Sequence, residues 1–146
     1  MSTVVAALAA NGVDPKQIQL LGSGLWEDPQ IFSNPAFDGA WYAAPDSSGF
    51  RNFSGRYRGR YGQDPVRTAT LAYDAVALVA ALTKTQGPAR FSEEVLTNAS
   101  GFTGIDGLFR FRPDGTNQRG LAVLRVGPAW GQVISPSPKS FSGSGI

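Results

Sequence analysis

Hydrophobic and polar positions change period several times along this chain, and each change marks an element. Residues 2–11 are a nearly unbroken run of Ala, Val and Leu that stops at Asn11-Gly12, so a short helix with a glycine stop is expected. Val13-Asp14-Pro15 reads as a turn. Ile18-Gln-Leu-Leu21 reads as a short buried strand, ended by Gly22-Ser-Gly24. Residues 25–37, punctuated by Pro29 and Pro35, read as a loop or a broken helical turn. Gly39-Ala-Trp-Tyr-Ala-Ala44 reads as a second strand, closed by Pro45-Asp46-Ser-Ser-Gly49.

The period then becomes helical. Phe50, Phe53, Tyr57 and Tyr61 recur at spacings of three and four and so share one face, with Arg51, Arg56, Arg58 and Arg60 around the rest. Gly62 and Asp64-Pro65 end that helix. Residues 67–86 hold Leu71, Ala72, Ala75, Val76, Leu78, Val79, Ala80 and Leu82 and leave almost no polar stripe, which predicts a helix buried on most sides. Ser92-Glu-Glu-Val-Leu-Thr97 reads as a short helix with Ser92 as its N-cap. Alternation returns in Gly107-Leu-Phe-Arg-Phe-Arg112, Leu121–Val126 and Gln132-Val-Ile134, three expected strands. Residues 1–135 are expected to form one partial domain, and the Ser-, Pro- and Gly-rich residues 136–146 a loose tail. The order of elements is an α/β pattern, and an incomplete one, because short strands after a long helical block do not make a self-sufficient sheet.

Composition narrows the chemistry. The 146 residues include no His and no Cys, which removes imidazole and thiolate as metal ligands and as partners of a nucleophile, and no cofactor is expected. Apolar residues make up 42%, enough for a core. Charged residues make up 16% and the net charge is only +2, so the Arg-rich helix is not read as a nucleic-acid surface. Its aromatics share one helical face, which is a packing pattern rather than a set of stacking platforms. Gly101-x-x-Gly104-x-x-Gly107 precedes a strand instead of opening a helix, so it is not a dinucleotide fingerprint. Glu27-Asp28 and Glu93-Glu94 are neighbours in sequence, and such pairs do not face one site. The apolar start lacks a basic leader and a cleavage site, so it reads as a helix rather than an export signal.

Several words in fixed order carry a family resemblance. Phe53-x-x-x-Tyr57-x-x-x-Tyr61-Gly62-x-x-Pro65, followed by Ala72-Tyr73-Asp74-Ala75-Val76, resembles the corresponding stretch of type I periplasmic solute-binding proteins, the Leu/Ile/Val-binding, two-lobed class. Leu21-Gly-Ser-Gly-Leu-Trp26 resembles that family's strand and ligand loop in the second lobe. Gly39-Ala-Trp-Tyr with Pro45-Asp46 resembles the strand leading back to the first lobe. Gly101–Gly107 and Phe109–Gly115 resemble the final hinge crossing, so 39–46 and 107–115 are expected hinge segments. The likeness covers roughly residues 2–135, a carboxyl-terminal portion of the family's chain that is expected to lack the first lobe's core and the start of the second lobe. Within the class, the Phe-Arg-Phe ending and Ser-Pro tail are similar to penicillin-binding-protein activators of the LpoA-like branch.

The resemblance implies a binding protein rather than an enzyme. It implies capture of a small amphiphilic solute such as an amino acid between two lobes, in the periplasm, for an ABC permease. The activator branch implies contact with a peptidoglycan synthase instead. A chain acting as neither would expose the helix faces meant for a missing lobe and would self-associate. The resemblance places Gly22, Ser23, Gly24, Leu25 and Trp26 at the ligand cleft, and Thr68 at a second contact. The chemistry suits these roles: glycines let backbone N–H groups approach a carboxylate, Ser23 donates, and Trp26 covers an apolar group. The plain alternatives are a strand-to-helix turn with Trp26 in the core, and a Thr68 hydroxyl spent on an orphan helix amide. Tyr73 and Asp74 read as packing and capping residues, and Asp74 inside so apolar a helix calls for a polar partner.

Overall fold

The computed structural model describes residues 2–141. In chain order the elements are α1 (Ser2–Ala10), β1 (Leu21–Ser23), α2 (Pro29–Phe32), β2 (Trp41–Ala44), α3 (Ser47–Tyr61), α4 (Ala69–Thr85), α5 (Glu93–Leu96), β3 (Phe102–Gly104), β4 (Gly107–Phe111), β5 (Asn117–Arg119), β6 (Ala122–Val126) and β7 (Gly131–Ser135). Single 3-10 turns lie at Pro15–Gln17, Gly24–Trp26, Pro35–Phe37 and Gly87–Ala89. The chain divides into two compact units, Met1–Ala44 with Ala122–Pro136 and Pro45–Leu121 with Ser137–Ile146. It passes from one to the other after Ala44, Leu121 and Pro136. Among the described residues, no helix is long and apolar enough to cross a membrane.

The first unit is built on a sheet of order β1-β2-β6-β7. β1 runs parallel to β2, and the other pairs are antiparallel. On β6, Ala122, Leu124 and Val126 alternate inward and are buried, as the period-two pattern requires. They pack with Trp26, Ile31, Phe37 and Tyr42 in one apolar cluster. The first strand begins at Leu21, later than the apolar run suggested, and continues through Gly22 into Ser23. Pairing decides this, since Gly22 lies opposite Tyr42 and Ser23 opposite Ala43. Residues 25–37 form helical turns because side chains cap them. Asp28 accepts from the Gln30 amide at 2.7 Å, and Asn34 from the Ala36 amide at 3.0 Å.

The second unit pairs α3 and α4 with a three-stranded meander, β3-β4-β5. α3 starts where Asp46 accepts from the Ser48 amide at 2.8 Å, and it ends at Gly62 in the left-handed region, φ 72°. Those bonds from Ser48 hold the Asp46 carboxyl below its usual range. The aromatic face of α3 forms as a ladder, with Phe53–Tyr57 centroids 5.9 Å apart and Tyr57–Tyr61 4.6 Å. Only Phe53 of this ladder is buried.

Three expectations change here. α4 is not buried on most sides: only Thr70, Asp74 and Leu82 are buried, while Leu71, Val76 and Val79 face outward. The apolar run was long enough to line two faces, and this chain covers one of them. Residues 107–115 are not a crossing. They hold β4 and the turn after it, inside the second unit, and the crossing falls after Leu121. The tail is packed as far as Phe141, whose ring lies 4.3 Å below the Arg110 guanidinium, and Pro138 sits against Gly120. The rest of the expected tail, 142–146, lies outside the described residues. β3 and β5 were not anticipated, because three-residue strands carry too short a pattern to stand out.

Candidate functional site

On the first unit the candidate residues form the end of β1 and the single turn after it. Gly22 is required there. A Cβ at this position would run into the indole of Trp26, which lies flat beneath the strand. The structure therefore places Trp26 in the core, 4% exposed and edge-on to Phe37 at 5.2 Å. Its ring supports the loop from below and has no surface of its own to offer a solute. Its Nε1 is buried with no hydrogen-bond partner.

Ser23, Gly24 and Leu25 stand above that floor and are exposed. Leu25 is 85% exposed and Leu21 71%, a large apolar surface on each side of a serine hydroxyl. Ser23 occupies the N-cap position of the Gly24–Trp26 turn, yet its side chain makes no cap hydrogen bond. Beside the loop, Tyr42 is buried with its hydroxyl against Gly131 and no partner for it. Burial, with a smaller contribution from the Glu27 charge, pushes its phenol up to about 12.

On the second unit, Thr68 is the N-cap of α4, at φ −76° and ψ −6°. Its side chain likewise makes no cap hydrogen bond, and it is exposed. The helix start is held by its neighbours instead. Arg67 Nη1 donates to both carboxylate oxygens of Asp106 at 3.0 and 3.1 Å. The Thr70 hydroxyl donates to Asp106 Oδ2 at 2.6 Å. The Arg67 guanidinium also lies over the Phe50 ring at 4.8 Å. One turn further along, Asp74 Oδ1 accepts from the Ile105 amide at 2.8 Å, the polar partner its burial demanded, while its Oδ2 has none. Tyr73 packs edge-on to Phe53 at 5.4 Å.

The caps sort the chain's short polar residues by task. Asp14, Asp28, Asn34, Asp46 and Ser92 each accept from an amide of the turn they open. Ser23, extended at φ −115°, does not, and Thr68, whose backbone is already helical at φ −76° and ψ −6°, is not placed to. Their hydroxyls face solvent, free to bond something else. Arg67, Thr70 and Asp106 escaped the reading of the sequence. The only signal for them was a threonine and an aspartate, each in an apolar setting and each in need of a partner.

Comparisons with known proteins bear on the whole chain. A family model described as periplasmic binding protein matches residues 1–131. A protein from Rhodospirillum rubrum described as a branched-chain amino acid ABC transporter superposes with a TM-score of 0.70 at 26% identity, over 89% of this chain and 40% of that one. An ABC transporter solute-binding protein from R. palustris, solved with benzoate, gives a TM-score of 0.54 at 18% identity, over 93% of this chain and 47% of that one. The branched-chain amino acid transporter substrate-binding protein LivJ from Streptococcus pneumoniae, solved with isoleucine, gives 0.53 at 19% identity, over 91% and 41%. The last two speak to the fold alone. The chain spans less than half the length of each of these three proteins. No curated protein sequence matches it.

Proposed function

The chain belongs to the periplasmic binding protein family, and on that premise we propose that it is part of the solute-binding component of an ABC transporter, taking a small amphiphilic ligand such as an amino acid. The observation that carries the reading is the exposed Ser23, which opens the Gly24–Trp26 turn without capping it and stands between the exposed Leu21 and Leu25. A folded chain leaves such a donor unspent at little cost only where it is exposed, and there it suits a ligand's carboxylate. Ser23, with the backbone of Gly22 and Gly24, takes the polar end. Leu25 takes the apolar part, and Trp26 holds the loop from beneath. On the second unit, Thr68 is a solute contact in its own right. Recognition of this kind needs no covalent step, so the role is binding and not catalysis. The proposed location is the periplasm and the proposed partner an ABC permease. The three structures compared above come from transport proteins, and none favours contact with a peptidoglycan synthase.

Titration followed by amide NMR tests this, since it registers affinities as weak as millimolar. L-isoleucine or benzoate is expected to shift the amides of residues 22–26 and 68–70 at concentrations up to ~10 mM. Shifts confined to other residues, or none at either loop, would remove the proposal.

A second reading rests on α4. Leu71, Val76 and Val79 are exposed, Val76 at 71%, and they form an uncharged face. The helix's two charged residues are Asp74, which is buried, and Lys84 in the last turn. Arg56 and Arg60 of α3 border the face beside Ala72 and Val76, so a second copy is expected to seat on Leu71 and Val79, away from those cations. Sedimentation is expected to show concentration-dependent self-association that Val76→Asp removes. Monomer at all concentrations would dismiss it.

A further inference from the structure

The polar cluster at the start of α4 does more than a helix needs. An N-terminus exposed to solvent is satisfied by water or by a capping hydroxyl. Here Thr68 has a helical backbone and makes no cap bond, and the first turn is fixed from outside by a carboxylate 36 residues further along the chain from Thr70. That carboxylate, Asp106, is 3% exposed and takes three donor contacts: two from Arg67 Nη1 and one from the Thr70 hydroxyl. Arg67 and Thr70 bracket Thr68 in sequence. Thr70 is fully buried, and its hydroxyl also lies 3.2 Å from the Arg67 carbonyl, so the two anchors are tied to each other. The backbone between them is closed by Ala69 donating to Val66 at 3.0 Å and Leu71 donating to Thr68 at 3.1 Å.

Asp106 is itself held in place. It lies in the tight connection between β3 and β4, where Gly104 is paired with Gly107. Gly107 has φ +88°, which favours glycine. A Cβ on Gly104 would strike the Asp74 carboxylate, and one on Gly49 of α3 would strike the Ile105 carbonyl. The turn is therefore gripped by α3 on one side and α4 on the other, and it presents Asp106 at a fixed point.

We propose that Asp106 is a positioning residue for the solute site: through Arg67 and Thr70 it sets the first turn of α4 and so aims the free Thr68 hydroxyl. The proposal rests on the reading of Thr68 as a solute contact, and it deepens that reading by naming what orients the contact. Burying a carboxylate is costly unless it is paired and bonded. A water-filled helix start would hold α4 nearly as well but would leave Thr68 to fray. The difference between the two is orientation of the N-cap side chain.

The test compares the whole chain with Asp106→Asn, Arg67→Met and Thr68→Ala. Asp106→Asn removes the charge that holds Arg67 while keeping an oxygen for Thr70. Amide exchange at Ala69 and Leu71 is expected to rise by about tenfold or more, and the Thr68 side chain to average over rotamers. The Ile105 amide, held by Asp74, keeps its protection. Equal loss of protection at Ile105 would show a role in general stability alone and overturn the proposal, as would unchanged exchange and a single Thr68 rotamer. Arg67→Met puts the same question at a partly exposed side chain and covers the case in which the buried carboxamide prevents folding. In a titration with L-isoleucine, Asp106→Asn is expected to weaken the response at residues 68–70 several-fold and leave that of residues 22–26 in place. If Thr68→Ala leaves the response at residues 69–70 intact, the solute reading of Thr68 fails, while exchange and rotamer averaging still decide whether Asp106 sets the turn.

Discussion

Replacing Leu124 with alanine is expected to cost about 2–5 kcal/mol of the first unit's stability, seen as a fall in the urea midpoint with little change in slope. Leu124 is fully buried, at 0% exposure, on β6, which is flanked by β2 and β7. It lies opposite Tyr42 on one side and Val133 on the other. Its Cδ2 would lie 3.1 Å from a Cβ on Gly131, so the space around it is already filled. The backbone on both sides is tied into the ladder and does not collapse into a void, so the cavity term adds to the lost transfer energy. Val133 is the natural control. It is one strand away, β-branched and 42% exposed, and Val133→Ala is expected to stay within about 1 kcal/mol. Equal costs at the two positions would mean that the unit's core does not centre on β6.

The longer strands, β2, β4, β6 and β7, and the long helices were legible because their periods run for several residues. Phe53, Tyr57 and Tyr61 fall on one side of α3 as their spacing requires, and Asp46 and Gly62 bound that helix as capping chemistry requires. Burial was less legible than helicity. The α4 pattern states that Leu71, Val76 and Val79 are apolar, and it does not state whether anything lies against them. Gly22 looked like the end of a strand. It is the middle of one, because glycine there answers to the Trp26 ring beneath it and not to a turn.

The candidate residues divide in the same way. Their presence at the end of β1 and the start of α4 followed from sequence likeness. Whether Ser23 and Thr68 cap their turns, and whether Trp26 points up or down, depends on contacts made across the sheet and from distant loops. The Arg67–Asp106 pair spans 39 residues and follows no motif or period, so only the folded chain brings it together. Burial and long-range bonds are the part of this structure that single-chain patterns do not encode.

Alkaline pH is expected to remove about 2–3 kcal/mol from the first unit, through Tyr42 alone. Its phenol has an ordinary value of 10.0 and is raised to about 12 by burial first and the Glu27 charge second. Below pH 10 the folded and unfolded chains both keep the proton, and the full stability is present. Between about pH 10 and 12 the unfolded chain gives the proton up while the folded chain holds it. Unfolding then gains about 1.4 kcal/mol per pH unit, until the folded phenol also ionises. Tyr42→Phe separates this from every other alkaline effect. The hydroxyl is buried and bonds to nothing, so its removal at neutral pH is expected to be neutral or slightly stabilising, with the ring still filling its place opposite Leu124. In the variant, the loss between pH 10 and 12 should shrink by the same 2–3 kcal/mol, measured as the difference in urea midpoints across that range. Identical pH profiles for the two proteins would mean that the phenol titrates alike in folded and unfolded chains. The hydroxyl would then reach water instead of lying closed in under Gly131.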